Sequence, residues 1–276
     1  MKMLILGATG YLGSMIFGLA LKLQDTFVQG ISRYANENRN IVQVDVTDKI
    51  SLEKVIKHLE PEVVIWSLMN GEKEDVLIDK GLKNLLTVIK KETKLIFLST
   101  DALFVDGAGN YMESDQIGLL PKDTPLHTYV NAKRNAENII KTKHLNHVIL
   151  RTGPLYGEDY NRNIEQRTER MLKLLKNGEQ PKAASNLYKT FVHVEDLSKA
   201  ILEISRNEFT GILHMGPLQK ESYYSFYVKR LLQLGFDNHT IRAYLIEEGD
   251  NSYLPLDTSL NTQKANYILE TKFRNV

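Results

Sequence analysis

The chain has 276 residues, of which 42% are hydrophobic and 25% charged, and its formal net charge is +1. Nothing in this near-neutral balance suggests electrostatic binding to nucleic acid or to an anionic membrane surface. Because the chain has no cysteine, it has no disulfide, cysteine nucleophile or thiolate metal site, and we expect a cytoplasmic protein.

An uncharged apolar run near the start of the chain, residues 3–21, resembles a signal peptide or a membrane span. Glycines interrupt this run, and its pattern changes from a short apolar burst to helical spacing after Gly13. A buried strand, a glycine turn and a buried helix explain the pattern better, so we expect a soluble protein.

Short apolar bursts then alternate with helical stretches up to Arg151. The predicted strands are KMLIL, TFVQGI, IVQVD, EVVIWSL, KLIFLST and HVILR, and the predicted helices are about 11–23, SLEKVIKHL, DVLIDKGLKNLLTVIKK and HTYVNAKRNAE. This alternation predicts an α/β fold, a Rossmann-type doubly wound parallel sheet with helices on both faces.

The same pattern suggests a division of the chain. Residues 1–152 are predicted to form a dinucleotide-binding domain, to which residues 187–210 return, and residues 153–276 to form mainly a smaller C-terminal substrate-binding lobe. The segments TGILHM, SYYSFYVKRLLQLGF and SLNTQKANYIL are assigned to that lobe.

A glycine-rich loop, LILGATGYLG, follows the first predicted strand and opens a helix. A tight turn and a close-approaching pyrophosphate both need residues without side chains, and a helix N-terminus offers unpaired N–H groups to phosphate. A merely structural glycine turn is the alternative, which the strand–helix context disfavours. We therefore predict a dinucleotide site with these candidate contacts: Gly7, Thr9, Gly10, Tyr11, Leu12, Gly13, Ser32, Arg33, Asp45, Val46, Ser67, Leu68 and Lys133.

The end of the second strand bears on which dinucleotide binds. A carboxylate there would accept hydrogen bonds from an unphosphorylated ribose, whereas a basic residue favours a 2′-phosphate. This chain has Ser32 and Arg33 at that point, so NADP(H) is favoured over NAD(H), with a solvated loop arginine as the alternative. Asp45 suits either the adenine amino group or a helix cap, and Asp48 is the better N-cap candidate.

Tyr129 and Lys133 share one face of a predicted helix. Hydride addition to a carbonyl leaves an alkoxide that needs a proton, and free tyrosine has a pKa of roughly 10, too high for ready exchange near neutrality. An ammonium within ~4–6 Å lowers that pKa, so Lys133 is predicted to act on Tyr129 and to reach the nicotinamide ribose. Ser99 and Thr100 place hydroxyls at the end of the fifth strand, where doubly wound folds bind ligands. The alternative, a core tyrosine and a surface lysine, is disfavoured once the glycine loop is considered.

These motifs resemble those of the extended short-chain dehydrogenase/reductase family over nearly the whole chain. The matching segments are GATGYLG, YVNAK and FVHVEDL. Within the family the chain is most similar to the dTDP-4-dehydrorhamnose reductases, through STDALFVDG, PLHTYVNAKRNAE, RTGPLYG and LNTQK. The resemblance implies a catalytic set of Thr100, Tyr129 and Lys133, with Tyr129 as proton donor, and a nucleotide-linked 4-keto-6-deoxy sugar as substrate. It is also compatible with a homodimer paired through the tyrosine helix.

Two other functions remain open. A sugar-nucleotide epimerase would use the same Tyr129 and Lys133 without net consumption of cofactor, and a relative without activity would bind NADP(H) and regulate a partner. A sugar-nucleotide 4,6-dehydratase is disfavoured, because Ala102 follows Asp101 where those enzymes carry a glutamate.

Some residues depart from the family pattern or allow a purely structural interpretation. Trp66 brings bulk beside the expected cofactor pocket, although we expect it to point into the core, and Leu254 replaces an arginine. His193 is expected to be a structural hydrogen-bonding residue, and the spacing of the histidines predicts no zinc site. The aromatic residues Tyr223, Tyr224, Phe226 and Tyr227 are expected in the small-lobe core rather than in a substrate platform. Lys182 and Lys189 are candidates for contact with a diphosphate, but a solvated role is the favoured alternative for loop lysines.

Overall fold

The structure is a computed structural model that describes residues 1–237, 240–247 and 254–276. Within these ranges the strands are β1 (Lys2–Leu6), β2 (Phe27–Ser32), β3 (Ile41–Gln43), β4 (Val63–Trp66), β5 (Lys94–Thr100), β6 (His147–Thr152), β7 (Leu155–Tyr156), β8 (Lys182–Ala184), β9 (Tyr188–Lys189), β10 (Val192–His193), β11 (Gly211–Met215), β12 (Glu221–Ser222) and β13 (Arg242–Tyr244). The α-helices are α1 (Tyr11–Ala20), α2 (Lys49–Leu59), α3 (Glu74–Val76), α4 (Lys83–Val88), α5 (His127–Lys143), α6 (Gln166–Lys176), α7 (Val194–Ile204), α8 (Tyr223–Gln233) and α9 (Gln263–Ile268).

A 7-stranded sheet forms the centre of the fold, in the order β11-β6-β5-β4-β1-β2-β3. All of its strand pairs are parallel. The strand order reverses at β1, which lies between β2 and β4, and this switch point opens a crevice at the carboxyl ends of the strands. The predicted Rossmann-type doubly wound sheet is confirmed.

The sheet is buried on both faces, which explains why its strands are continuous apolar runs rather than alternating ones. Met3 and Ile5 of β1 point into one core, whereas Leu4 and Leu6 point into the other, since neighbouring side chains in a strand face opposite ways. The first core includes residues of α1 and α7, and the second includes residues of α2, α4 and α5. The two cores together fix the positions of β1, β4 and β5, whose carboxyl ends border the candidate site.

The edge strand β11 corrects one prediction. TGILHM was assigned to the smaller lobe, but Gly211–Met215 pairs with β6 in the central sheet. Its apolar residues are needed to cover that sheet, since Leu213 and Met215 are fully buried in the core beneath α7. The assignment was wrong because the strand follows an irregular region in which the strand–helix alternation cannot be followed. SLNTQKANYIL was also assigned to the smaller lobe, but its residues Ala265 and Leu269 are buried in the first core, together with residues of the central sheet.

The segment SYYSFYVKRLLQLGF, which contains α8, contributes to a separate aromatic core. Phe191 stacks on Phe226 with ring centroids 4.0 Å apart, and Tyr156 meets Phe226 edge-on at 5.7 Å. Tyr227 is buried here, and Tyr223 and Tyr224 pack partly against it. The predicted structural role of this aromatic cluster is confirmed.

A π-helical turn, Leu77–Leu82, joins α3 to α4. Gly81 in this turn faces the core so closely that a Cβ there would lie 2.7 Å from Val46 Cγ2 and 3.3 Å from the ring of Trp66. Trp66 itself is fully buried and packs near Phe97, with ring centroids 6.2 Å apart. The predicted core orientation of Trp66 is therefore confirmed. Across the described ranges, every helix is too short or too polar to span a bilayer.

Candidate active site

The glycine loop forms a compact turn between β1 and α1. Gly7 has a φ of +89°, a conformation that glycine adopts without strain, and the Gly10 N–H donates to its carbonyl oxygen at 2.9 Å. A Cβ on Gly13 would overlap that same oxygen and lie 2.8 Å from the Gly7 carbonyl carbon and 2.9 Å from Ser67 Oγ. Gly13 therefore lets α1 begin directly against the strand ends.

The first turn of α1 is open to an anion. Its N-cap is Gly10, which has no side chain to bind the orphan N–H groups, and the turn contains no acidic residue. The Tyr11 hydroxyl is directed elsewhere, since it donates to the Gly157 carbonyl at 2.6 Å, and burial raises the pKa of that phenol. Leu12 packs partly against the core. What the loop offers a ligand is thus backbone N–H groups and the positive end of the helix dipole.

The end of β4 borders this loop. Ser67 Oγ donates to the Leu6 carbonyl at 2.7 Å, and a Cβ on Gly7 would lie 3.1 Å from Leu68 Cδ2. The structure therefore brings Ser67 and Leu68 to the glycine turn, as the sequence suggested for neighbouring strand ends.

At the end of β2, the Ser32 and Thr9 hydroxyls lie 3.0 Å apart, joining the glycine loop to this strand. Arg33 is exposed beyond it, where its guanidinium donates to the Tyr34 hydroxyl at 2.9 Å and lies 5.0 Å from that ring's centroid. Across the described residues, Arg33 has no carboxylate within ion-pair distance. Its charge is thus held at the strand end without an ionic partner.

Two further cofactor candidates lie after β3. Asp45 accepts hydrogen bonds from the N–H and hydroxyl of Thr47, at 2.9 and 2.8 Å, so its carboxylate stabilises the local turn. Val46 is buried in the core, and the side-chain amide of Asn84 donates to its carbonyl at 3.2 Å. Asp48 caps α2, accepting from the N–H groups of Ile50 and Ser51, as predicted.

The predicted catalytic residues meet at the carboxyl end of β5. Thr100, the last residue of β5, places its hydroxyl close enough to the hydroxyl of Tyr129 to lower the pKa of that phenol. The first turn of α5 presents Tyr129 half-buried. Lys133 lies one turn further along α5, with its Nζ 5.8 Å from the centroid of the Tyr129 ring. The structure therefore brings Thr100, Tyr129 and Lys133 together.

The charge of Lys133 is directed at a residue that the sequence analysis missed. Lys133 Nζ lies 3.1 Å from Glu74 Oε1, and both side chains are almost completely buried. The ammonium also donates to the Leu98 carbonyl at 2.9 Å, and the other Glu74 oxygen accepts the Asn70 N–H at 2.6 Å. Glu74 was missed because a glutamate at the start of a helix normally faces water, and its partner is far away in the sequence.

The pKa of Tyr129 differs in direction from our prediction. Burial raises the pKa of this phenol, the Thr100 hydrogen bond lowers it, and the charges of Glu74 and Asp101 raise it further. Burial also lowers the pKa of Lys133, which Glu74 and then Glu137 oppose. The pKa of Tyr129 is therefore raised rather than lowered, and the largest cause is the burial of the phenol.

A second charged group adjoins Thr100. Lys189 Nζ lies 3.3 Å from Asp101 Oδ2 and donates to the Thr258 hydroxyl at 2.5 Å, while Thr258 also donates to Asp101. The side chain of Lys189 is only 14% exposed, so the expectation that it is a solvated loop lysine is wrong. Lys182 is exposed, as expected. Lys189 of β9 thus reaches Asp101, the residue that follows Thr100.

Behind the site lies a buried ion pair that fixes α5 on the sheet. Arg151 of β6 contacts both oxygens of Glu137 in α5, with Nε–Oε1 at 3.0 Å and Nη2–Oε2 at 2.7 Å. Ser99 donates to the same carboxylate at 2.7 Å. The two hydroxyls predicted at the end of β5 therefore have different roles. Thr100 faces Tyr129, whereas Ser99 anchors the helix that carries it.

One group with metal-ligand chemistry occurs among the described residues, where atoms of His193, Glu195 and Asp196 lie within 4.8 Å of one another. Arg274 pairs with both carboxylates, at 3.0 Å to Glu195 and 2.5 Å to Asp196. His193 caps α7 by accepting the Glu195 N–H at 3.3 Å, which confirms its predicted structural role. The two carboxylates of this group are thus neutralised by Arg274.

Comparison with known proteins agrees with this architecture. A curated relative, a dTDP-4-dehydrorhamnose reductase from Aggregatibacter actinomycetemcomitans, is 25% identical over 222 residues, covering 76% of this chain and 69% of the relative. The solved dTDP-4-dehydrorhamnose reductase of Bacillus anthracis, in complex with NADP, superposes with a TM-score of 0.76 at 17% identity, over 97% of this chain and 91% of that one. The solved Bordetella bronchiseptica enzyme WbmH, in complex with NAD+, gives a TM-score of 0.76 at 18% identity, over 99% and 94%.

These structural likenesses establish the fold. The sequence of residues 3–213 also matches the family model described as the NAD dependent epimerase/dehydratase family. Since that match spans most of the chain and contains both the glycine loop and the Tyr129–Lys133 pair, the chain belongs to the NAD dependent epimerase/dehydratase family, whose members are extended short-chain dehydrogenases/reductases.

Proposed function

We propose that the protein is an NADPH-dependent reductase of a nucleotide-linked 4-keto-6-deoxy sugar. The observation that carries this proposal is the meeting of the Thr100 and Tyr129 side chains at the carboxyl end of β5, with Lys133 one turn along α5 from Tyr129. A phenol and a second hydroxyl aimed at one place suit a carbonyl oxygen that is to be protonated. The similarity to a dTDP-4-dehydrorhamnose reductase supports the substrate class.

The residues present suit a dinucleotide. The position where a Gly13 side chain would sit is filled by the Gly7 carbonyl, which keeps the loop short enough for phosphate to approach the backbone N–H groups of α1. Gly7, Gly10 and Gly13 would hold the pyrophosphate, and Lys133 the nicotinamide ribose. Arg33, without an ionic partner in the described chain, supports NADPH over NADH because a guanidinium suits a 2′-phosphate.

Bound NADPH would supply a hydride. The residues of this chain then handle the oxygen: Thr100 orients the carbonyl, and Tyr129 releases its phenolic proton to the oxygen as the C=O bond is reduced to an alcohol. Tyr129 regains a proton from solvent before the next turnover. Asp101 is tied to Lys189 and Thr258, and Ala102 offers no second carboxylate, so acid/base removal of water is not the reaction supported.

The test follows NADPH absorbance when the protein meets dTDP-4-keto-6-deoxy-L-mannose, with NADH in parallel. We expect oxidation of NADPH in proportion to sugar reduced, and loss of at least ~10²-fold in kcat for Tyr129→Phe with cofactor affinity nearly unchanged. The matched control is Tyr267→Phe, since that tyrosine is 92% exposed. A Tyr129→Phe variant that keeps most of its activity would contradict the assignment of the acid.

An epimerase is the second candidate, because the matched family includes epimerases. It would interconvert sugar isomers without net oxidation of NADPH. Product analysis by NMR of the sugar nucleotide in the same reactions separates this outcome from reduction, and tight NADPH binding with neither reaction on any 4-keto sugar would favour a regulatory protein.

A further inference from the structure

Glu74 has no part in the reaction as proposed above, yet its carboxylate is fully buried at the site. It lies between the Asn70 N–H, at 2.6 Å, and the Lys133 ammonium, at 3.1 Å. A buried carboxylate is costly to keep unless it is paired, and the Lys133 ammonium supplies the opposite charge at ion-pair distance. The helix that begins at Glu74 therefore delivers one negative charge to the centre of the predicted catalytic set.

That charge acts on two proton-carrying groups at once. A negative charge favours the protonated form of a phenol and of an ammonium alike. Glu74 opposes the effect of burial on Lys133, and it adds to the effect of burial on Tyr129. The two groups lie one helical turn apart, so they exchange protons with solvent as a coupled pair.

The other charges around the pair do not replace Glu74. From the end of β5, Asp101 raises the pKa of Tyr129, but its carboxylate is already tied to Lys189 and Thr258. From α5 itself, Glu137 acts on Lys133 more weakly and is neutralised by Arg151. The Leu98 carbonyl contributes only a dipole.

We infer that Glu74 is a positioning residue that pairs with the Lys133 ammonium and keeps Tyr129 and Lys133 both protonated, so that the phenol is ready to donate its proton to the substrate oxygen. This inference rests on the proposed function of Tyr129 as the acid.

The direct test is titration of Tyr129 by NMR of tyrosine labelled with ¹³C at the ring hydroxyl carbon, with the signal assigned by its absence in Tyr129→Phe. In Glu74→Gln we expect the Tyr129–Lys133 pair to release its first proton about 1–3 pH units lower than in the unaltered protein. The matched control is Glu72→Gln, an exposed glutamate two positions away, which should leave the titration unchanged. This measurement needs neither cofactor nor substrate.

The kinetic test is the pH profile of kcat/KM for sugar reduction. The alkaline limb should move to lower pH in Glu74→Gln by the same 1–3 units or so, and the limb should stay in place in Glu72→Gln. A merely structural Glu74 would reduce the yield or the melting temperature without moving either titration. Unchanged titrations in Glu74→Gln would overturn the inference.

Glu74→Gln leaves Lys133 buried without its partner, so a second variant covers the case in which the single change prevents folding. Glu74→Gln combined with Lys133→Met removes both charges and leaves none unpaired. If Glu74 offsets Lys133, Tyr129 should titrate in this double variant close to its position in the unaltered protein. A clearly higher titration would show that Lys133 acts on Tyr129 without being offset, and would overturn the inference. If the protein reduces no sugar but Tyr129 titrates as expected, the proposed function fails, whereas the effect of Glu74 on the protonation of Tyr129 and Lys133 stands.

Discussion

Replacing Gly13 by alanine tests the glycine loop most sharply. The new Cβ would overlap the Gly7 carbonyl oxygen and lie 2.8 Å from its carbon and 2.9 Å from Ser67 Oγ. The backbone of Gly7 cannot yield freely, because its N–H donates to Ile31 at 3.0 Å and its carbonyl accepts from Gly10 at 2.9 Å. The loop and α1 must therefore separate.

The cost has two parts. Overpacking costs about 1–3 kcal/mol, and each of the two backbone hydrogen bonds at risk is worth about 0.5–1.5 kcal/mol. Together they amount to about 2–6 kcal/mol of unfolding free energy, which corresponds to a fall in Tm of roughly 5–20 °C for a chain of this size. NADPH affinity should fall as well, since the N–H groups that face phosphate move with the helix.

Differential scanning calorimetry measures the Tm, and isothermal titration calorimetry measures NADPH binding. Gly10→Ala is the matched control, because its Cβ would lie 3.3 Å from the Gly7 oxygen and the backbone φ of −77° suits alanine. We expect it to lose about 0.5–1 kcal/mol, the usual difference between glycine and alanine at an N-cap, and so less than Gly13→Ala. A Gly13→Ala protein that melts and binds like Gly10→Ala would refute the argument that this helix begins in contact with the strand ends.

Three further changes test other parts of the structure. Arg151→Met leaves Glu137 buried beside Ser99 alone and should cost about 3–5 kcal/mol of unfolding free energy in urea denaturation, whereas Arg206→Met, at an exposed ion pair with Asp25, should change it little. Burial lowers the pKa of His214 to about 4, below its ordinary value of about 6.5. Between these two pH values, His214 is therefore protonated in the unfolded chain but neutral in the folded chain. Stability should therefore fall by about 2–3 kcal/mol as the pH drops from about 6.5 to 4, and His214→Gln, but not the exposed His58→Gln, should flatten that dependence in urea titrations at each pH. Arg33→Ala should weaken NADPH binding about tenfold or more and leave NADH binding nearly unchanged, and equal losses for both cofactors would contradict a role at the 2′-phosphate.

The sequence predicted the features that depend on local order along the chain. The six strands from β1 to β6 are short apolar runs separated by helices, and the glycine loop stands at the junction of a strand and a helix. These patterns determine which strand ends are neighbours. Hence Thr100, Tyr129 and Lys133 were expected in one place, and the structure brings them there.

The features that were missed depend on contacts between distant segments. Glu74 and Lys189 are charged residues of a kind that normally faces water, and each is buried only because a partner arrives from elsewhere in the chain. β11 was misplaced for a related reason, since its place in the sheet is decided by pairing with β6 rather than by its own pattern. Local sequence propensity does not predict such contacts between distant parts of the chain.

The chain has a single tryptophan, and the fold buries it at the last position of β4, beside Ser67 and the glycine loop. Its emission therefore comes from one known point in the molecule, and that emission overlaps the absorption band of a reduced nicotinamide. Excitation of Trp66 should transfer energy to NADPH bound at the neighbouring strand ends, but not to oxidised NADP+, which lacks that band. The protein thus contains an intrinsic optical reporter that distinguishes the reduced from the oxidised cofactor without any label.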